Sequence, residues 1–399
     1  MQIMGKTVVP IIQDTTAPKR CFVIFLAAAQ LLGFLLDVLA WGQQPPQVSL
    51  HEEPELLMPG AHEGGADWGV DGNSPAERDA EGRLLLFNSL SFPWLAAGPN
   101  IFQMGQSERV TVINREAIEG GLWIEATYRD QDGAMFGWFH NEVSAGCPNS
   151  YLALPRIRQM ISSDGGWTWQ DIGVILEAPS DSIQCDTANR YFAGGNGDFC
   201  VIFDKATQYF YFYVSTYNRQ REEQGIAIAR LHYSNRFDPV GNVKKWYGNG
   251  WNEPGIGGHV SPIFPAVSDW HQADANAYWG PAIHFNTHVQ QYVMLLNHAI
   301  NADWWTEGVY ISFNLDVSDP SGWSAPQRLP LEIVSPYLAY PQVIGLEADG
   351  TDKVAGQVAR LFLWGQSYWE IVFERPMPTP PRQSRDQDGR GLPQRTPSR

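Results

Sequence analysis

Asp198-Phe-Cys-Val-Ile-Phe203 runs through Asp204-Lys205-Ala206-Thr207 into Tyr209-Phe-Tyr-Phe-Tyr-Val-Ser215, and Gly225-Ile-Ala-Ile-Ala-Arg230 follows. These are three short β-rich runs, separated by the turn chemistry of Asp, Gly and small polar residues. The same order recurs along the chain. Trp279-Gly-Pro-Ala-Ile-His-Phe285 turns through 286–290 into Gln291-Tyr-Val-Met-Leu-Leu-Asn297, and Gly308-Val-Tyr-Ile-Ser-Phe313 comes next. Residues 340–345 pair with 358–364 and 369–373, and 122–128 pair with 134–140 and 156–162. The first unit pairs 83–89 with 109–113. Repeats of three or four antiparallel strands predict an all-β, five-bladed β-propeller, with six blades or a β-sandwich as the alternatives.

Composition agrees with this reading. Among 399 residues, 44% are hydrophobic, 13% are aromatic, and 38 Gly and 28 Pro supply turns. That mix suits many short strands and excludes a helical bundle or coiled coil. The formal net charge is −16, and both ends are basic, so the central body is more acidic still. Such a surface repels phosphate backbones, which excludes a nucleic-acid partner.

Four segments are expected. Residues 1–40 read as a signal peptide: Lys19-Arg20 precedes an apolar run from Cys21 to Leu36, and Ala40 is a small residue at a cleavage position. The run is short for a membrane span, so the mature protein is expected to be secreted or periplasmic, monomeric and free of the membrane; the alternative is an uncleaved anchor. Residues 41–64 read as a linker, 65–375 as the propeller, and 376–399 as a disordered, Pro- and Arg-rich tail. Of the cysteines beyond the signal, Cys147 and Cys185 lie in loop-like sequence and one disulfide is permitted, whereas Cys200 sits in an apolar run and reads as a buried thiol. No metal-ligand spacing involving Cys and His appears.

Ser162-x-Asp164-x-Gly166-x-Thr168-Trp169 matches the Asp-box of sialidases and other propellers. Its Asp is expected to accept backbone N–H bonds in a tight turn, which makes it an architectural motif.

The innermost strand of each blade runs along the central channel, so residues near its start ring one funnel. Those positions are Asp71 and Asn73, Trp123 and Glu125, Asn196 and Asp198, Trp279 and His284, and Tyr340 and Gln342. Loops after the second strands add His140, Asn141 and Glu142, then Asn297 and His298. Carboxylates, imidazoles, amides and Trp faces together suit a sugar ring, whose C–H face stacks on Trp while polar groups bond its hydroxyls.

The run Asn189-Arg-Tyr-Phe-Ala-Gly-Gly-Asn-Gly-Asp-Phe199 resembles the Gly-Asp-led inner strands of five-bladed glycoside hydrolases of the family 43 type. Residues 137–142, 278–281 and 340–343 are similar to segments of secreted bacterial propellers of uncertain activity. The resemblance implies an Asp base on the first blade, a second Asp on the third, and a Glu acid before Gly-Pro on the fourth. Asp71 and Asp198 match the two Asp, but the fourth blade carries Trp279-Gly280-Pro281, with Trp in place of Glu. Another acid must then serve, Glu142 first and Glu307 second.

The expected function is a glycoside hydrolase with a two-carboxylate mechanism. Asp71 activates water, Glu142 protonates the leaving oxygen, and Asp198 orients and tunes them. Trp123, His140, Asn196, Trp279, His284 and Gln342 hold the glycan. No cofactor is expected, although carboxylates near the axis could hold a structural calcium. Two alternatives stand beside this: a non-catalytic propeller binding glycan or protein, and a sialidase clamping its substrate with arginines from among Arg156, Arg190, Arg230 and Arg360.

Overall fold

The computed structural model describes residues 45–60, 70–89, 92–148, 150–331 and 339–375. The expected signal peptide and C-terminal tail lie outside the described residues. The described strands form five separate antiparallel sheets, arranged as the five blades of a propeller. Blade I holds Ala76–Arg78, Leu84–Asn88, Trp94–Gly98 and Glu108–Arg109. Blade II runs outward through Gly121–Arg129, Met135–Ser144, Ala153–Ser162 and Thr168–Leu176. Blade III begins at Asn196–Asp204, Tyr209–Thr216 and Gly225–His232, blade IV at Ala277–Asn286, Gln291–Ala299 and Thr306–Asn314. Blade V comprises Gln342–Gly345, Val358–Leu363 and Gln366–Glu374.

The aromatic run of blade III shows why these residues make a ring of sheets. Alternate side chains of a strand point to opposite faces. Phe199, Val201, Phe210 and Phe212 pack with Phe136 and Trp138 of blade II. Cys200, Ile202, Tyr211 and Tyr213 pack with Ile283, Met294 and Leu296 of blade IV. Both faces are buried, so the strands read as unbroken apolar runs rather than alternating ones. Equivalent cores join blades I and II, IV and V, and V and I. Five interfaces close the ring, and the six-blade and sandwich alternatives fall.

Closure uses sequence that reads as linker. Gln47–Leu57 is a strand that pairs antiparallel with Gln366–Glu374, completing blade V from the N-terminal side. None of its residues is fully buried, and the half-buried Val48 and Leu50 pack on the core between blades IV and V. Blade I also differs from expectation. Leu84–Asn88 pairs with Trp94–Gly98, not with residues 109–113. Arg109 belongs to the outermost strand, and Thr111–Val112 crosses to run parallel to Thr168–Leu176 of blade II.

The turn at Ser162–Trp169 joins the third and fourth strands of blade II. Asp164 Oδ1 accepts N–H bonds from Trp167 (3.1 Å) and Thr168 (2.9 Å), which hold its carboxyl below its ordinary range against the opposing effect of burial. Gly166 has φ +94°, and a Cβ there would meet Phe87 at 2.4 Å. Trp169 is fully buried against Phe87 and Phe139.

Candidate functional site

The inner strands are not regular where they approach the axis. Register slips occur between Ile124 and Ala126, between Gly197 and Phe199, and between Trp279 and Ala282. Each is a β-bulge, which re-aims side chains that regular pleating would send sideways. The bulged residues are Glu125, Asp198 and Gly280-Pro281. Backbone groups around them are served by side chains. Asn73 Nδ2 donates to the Phe199 and Pro281 carbonyls (both 2.8 Å), and Ser89 Oγ to the Ile124 carbonyl (2.6 Å). Ser215 Oγ donates to the Asp198 carbonyl (3.0 Å) and accepts the Gly280 N–H (2.9 Å).

Above the bulges lies a cleft of about 520 Å³. It gathers Asp71, Trp123, His140, Glu142, Asp198 and Trp279, six of the nine residues expected to act. Tyr340 and Trp364 of blade V and the loop residues Tyr191, Phe192, Trp304 and Trp305 complete its walls. Seven described non-glycine residues have positive φ, and four of them, Asp198, Trp304, Tyr340 and Trp364, line this cleft. Such conformations cost about 1–3 kcal/mol each and concentrate where function over-determines geometry.

His140 is the hub of the charged floor. Its Nδ1 lies 3.3 Å from Glu125 Oε1 and 3.9 Å from Asp198 Oδ1, and its Nε2 lies 3.2 Å from Glu142 Oε1. A neutral ring accepts the Asp198 N–H at Nδ1 (3.1 Å), whereas a charged ring offers Nδ1–H to Glu125. Burial opposes the charged form, but the surrounding carboxylates outweigh it and hold His140 protonated well above its ordinary range near 6.5. Glu125 is buried, its Oε2 accepts the Phe199 N–H at 2.6 Å, and burial raises its pKa despite His140.

Asp198 is buried, and its Oδ2 accepts the Tyr217 hydroxyl at 2.6 Å. Desolvation, only partly offset by His140, pushes its carboxyl up to about 7. Asp71 is open to solvent at the cleft yet enclosed by protein walls, so desolvation and the Glu142 charge raise its pKa too. One hydroxyl links these two acids: Tyr340 Oη lies 3.1 Å from Asp71 Oδ1 and 3.4 Å from Asp198 Oδ1.

Three expected site residues lie elsewhere. Asn196 is buried and its Oδ1 accepts Lys245 Nζ at 3.2 Å. Lys245 also donates to the carbonyls of Glu177 and Gly258, so Asn196 helps satisfy a buried ammonium. Gln342 bonds both backbone groups of Ser74, at 2.6 and 2.8 Å, and ties blade V to blade I. His284 is buried edge-on to Phe373, and desolvation drops its pKa to about 3, so it stays neutral in the core. His284 lies beyond the slip at Gly280-Pro281, whereas Asn196 stands before the slip at Asp198 and Gln342 sits in a regularly paired strand, each held aside by its polar partners. Glu307 is engaged with His298, Tyr310 and Arg328, apart from the cleft.

Of the four arginines considered for a carboxylate clamp, only Arg190 lines the cleft. Arg230 is sandwiched between Tyr209 and Trp251, and Arg360 bonds the Pro54 carbonyl. The sialidase arrangement is therefore missing among the described residues.

Glu125, His140 and Asp198 place one ligand atom each within 4.8 Å of one another, the arrangement a metal ion would need. A neutral His140 would give this set one nitrogen beside two carboxylates, which is not the all-oxygen cage that the expected calcium takes.

The loop carrying Arg190, Tyr191 and Phe192 is anchored twice. Cys185 is joined by a disulfide to Cys147, and Arg190 pairs with Asp303 at 2.5 Å, next to Trp304. The disulfide closes a loop of sequence separation 38. Replacing both cysteines by Ser is expected to lower unfolding free energy by roughly 2–4 kcal/mol. Thermal melts of both proteins check this; equal midpoints would show that the bond is energetically idle. Among the described residues Cys200 is the free thiol, buried and pushed up to about 12 by desolvation, and so is inert.

No family model and no curated protein matches the chain. Solved structures do. An endo-arabinase from Bacteroides thetaiotaomicron aligns with a TM-score of 0.48 at 10% identity, over 82% of this chain and 98% of that one. The catalytic domain of a family 62 α-L-arabinofuranosidase from Coprinopsis cinerea aligns at 0.45 and 12% identity, over 82% and 96%. A protein of unknown function from Dyadobacter fermentans aligns at 0.44 and 10%, over 82% and 87%. At such similarity these proteins' activities stay their own, and the five-blade ring rests on this chain's strand pairing.

Proposed function

We propose that this propeller is a glycoside hydrolase acting on a carbohydrate in its central cleft. The observation that carries the reading is the convergence of Asp71, Glu142 and Asp198 on one aromatic-walled cleft, around a charged histidine. Glycoside hydrolysis needs one carboxyl to give a proton to the leaving oxygen and another to activate water or attack. Asp71, reachable by solvent, takes the proton from water. Glu142, partly exposed beside the cleft with its Oε1 3.2 Å from His140 Nε2, protonates the leaving oxygen after taking up a proton from solvent. Asp198 shares the Tyr340 hydroxyl with Asp71 and sets the charge Asp71 feels. Trp123, half-buried in the cleft wall, presents the sugar platform, and the buried Trp279 backs Trp304 and Tyr340.

Trp279, standing where the resemblance implies a Glu acid, favours a second reading in which the cleft binds glycan without cleaving it. Turnover on a panel of aryl glycosides and polysaccharides separates the two. Under the hydrolase reading, Glu142→Gln lowers kcat by about 10²–10⁴-fold and leaves KM nearly unchanged. An activated aryl leaving group, which needs little protonation, should be affected least. Uniform loss across leaving groups would remove Glu142 from the acid role. Glycan binding with no turnover on any substrate would establish the binding reading.

A further inference from the structure

The mouth of the cleft carries two aromatic rings that the acids do not need. Tyr191 and Trp305 line the cleft, yet each is 54% exposed. Exposed apolar faces at the rim of a concave site mark a ligand surface. Both residues are also held in place before any ligand arrives. Asn189 Oδ1 accepts the Tyr191 and Phe192 N–H groups (2.9 and 3.0 Å), and Asn301 Oδ1 accepts the Trp305 N–H (3.1 Å). The neighbouring Trp304 packs against Trp270, Trp279 and Tyr191, with ring centroids 4.7, 4.8 and 5.8 Å away. The Arg190–Asp303 ion pair ties the two loops together, and the Cys147–Cys185 disulfide roots the first of them. Faces fixed in advance lose little freedom on binding.

The charged groups lie deeper. Asp198 and His140 are buried, and Asp71, though reached by solvent, is enclosed by protein walls. A sugar ring seated on these groups leaves the rim faces to another unit. A cleft of about 520 Å³ falls in the range of about 300–1,000 Å³ that suits ligands larger than one sugar ring. Resting on the reading of this cleft as a carbohydrate site, we propose that Tyr191 and Trp305 form an outer subsite stacking a second sugar unit, which makes the substrate a glycan chain. Stacking uses the apolar C–H face of the sugar and asks little of its hydroxyls. The subsite therefore selects for length more than for sugar identity.

Titration calorimetry on the full chain tests this. The probes are ladders of arabinan, xylan, galactan and glucan oligomers, each from the monosaccharide to the hexasaccharide. The expected result, in at least one ladder, is about five-fold or more tighter binding of a longer oligomer than of the monosaccharide. Replacing both Tyr191 and Trp305 by Ala should bring the ratio of those two affinities to within about two-fold of unity. Both side chains are more than half exposed, so folding should survive. Replacing both by Phe keeps a flat face at each position and should retain most of the ratio, which separates loss of the rings from damage to the loops. Binding that does not depend on length, or a length gain that the Ala variant keeps, overturns the proposal and leaves the carbohydrate reading standing. Absence of binding in every ladder also overturns it, and if no glycan is turned over either, the carbohydrate reading falls with it.

Discussion

Replacing Asp198 by Asn should lower glycoside turnover by about 10²–10⁴-fold while leaving the fold intact. The side chain keeps its shape, and an amide oxygen can still accept the Tyr217 hydroxyl, which lies 2.6 Å from Oδ2. What is lost is a titrating group. With Asp198 pushed up to about 7, the charge facing Asp71 across Tyr340 changes near neutral pH. Asp71 then senses a carboxylate above that pH and a neutral acid below it. The pH–rate profile of Asp198→Asn should lose the limb near 7, a change that damage to packing alone would not produce. Activity and profile both unchanged would exclude Asp198 from the mechanism.

The same carboxyl makes a stability prediction whose sign follows from linkage. Its folded pKa is raised from 3.8 to about 7, so between these values the unfolded chain has lost a proton that the native state keeps. The native state binds more protons, and stability must fall as pH rises across that window. Asp198→Asn should flatten this part of the stability curve. The group is buried, so solvent screening does little to weaken the effect.

The architecture was legible because burial on both faces leaves a simple mark. Runs such as Tyr209–Ser215 are apolar throughout, and their recurrence gave the correct number of blades. Short or half-exposed strands carried no such mark. Gln47–Leu57 faces solvent on one side and owes its place to pairing with blade V, a contact more than 300 residues away in sequence. Trp94–Gly98 follows the Pro93 turn and is not among the strands expected of the first unit. In the site, residues at the start of inner strands were found because that end opens to the cleft. Asn196, His284 and Gln342 fit the same pattern but miss the cleft: His284 lies beyond the Gly280-Pro281 bulge, whereas Asn196 is drawn to Lys245 and Gln342 to the Ser74 backbone. Asp198 and Tyr340 adopt positive φ without being glycine, and no local signal announced it. Loop residues Arg190 and Asp303 meet through space alone. Glu125 was visible as a funnel position, but its pairing with His140 was not.

That pairing yields the largest expected effect on stability. His140→Ala leaves Glu125 buried with only the Phe199 N–H to serve it, and removes the one positive charge facing Glu142 and Asp198. Breaking a buried ion pair from one side costs about 3–5 kcal/mol, because the remaining charge stays desolvated. The loss must depend on pH in a definite direction. His140 has a folded pKa raised above 6.5, so its stabilising contribution is complete below that value and fades as pH rises through the folded pKa. Denaturant unfolding of wild type and His140→Ala should thus differ most at mildly acidic pH and converge in alkali. Adding Glu125→Gln to His140→Ala should recover part of the loss, since an amide is cheaper to bury than a lone carboxylate. A single-variant loss that is independent of pH, with no recovery in the double variant, would mean that His140 acts through packing against Trp123 and Phe192. The hub of the site would then be steric, and the charged network drawn around His140 would have to be given up.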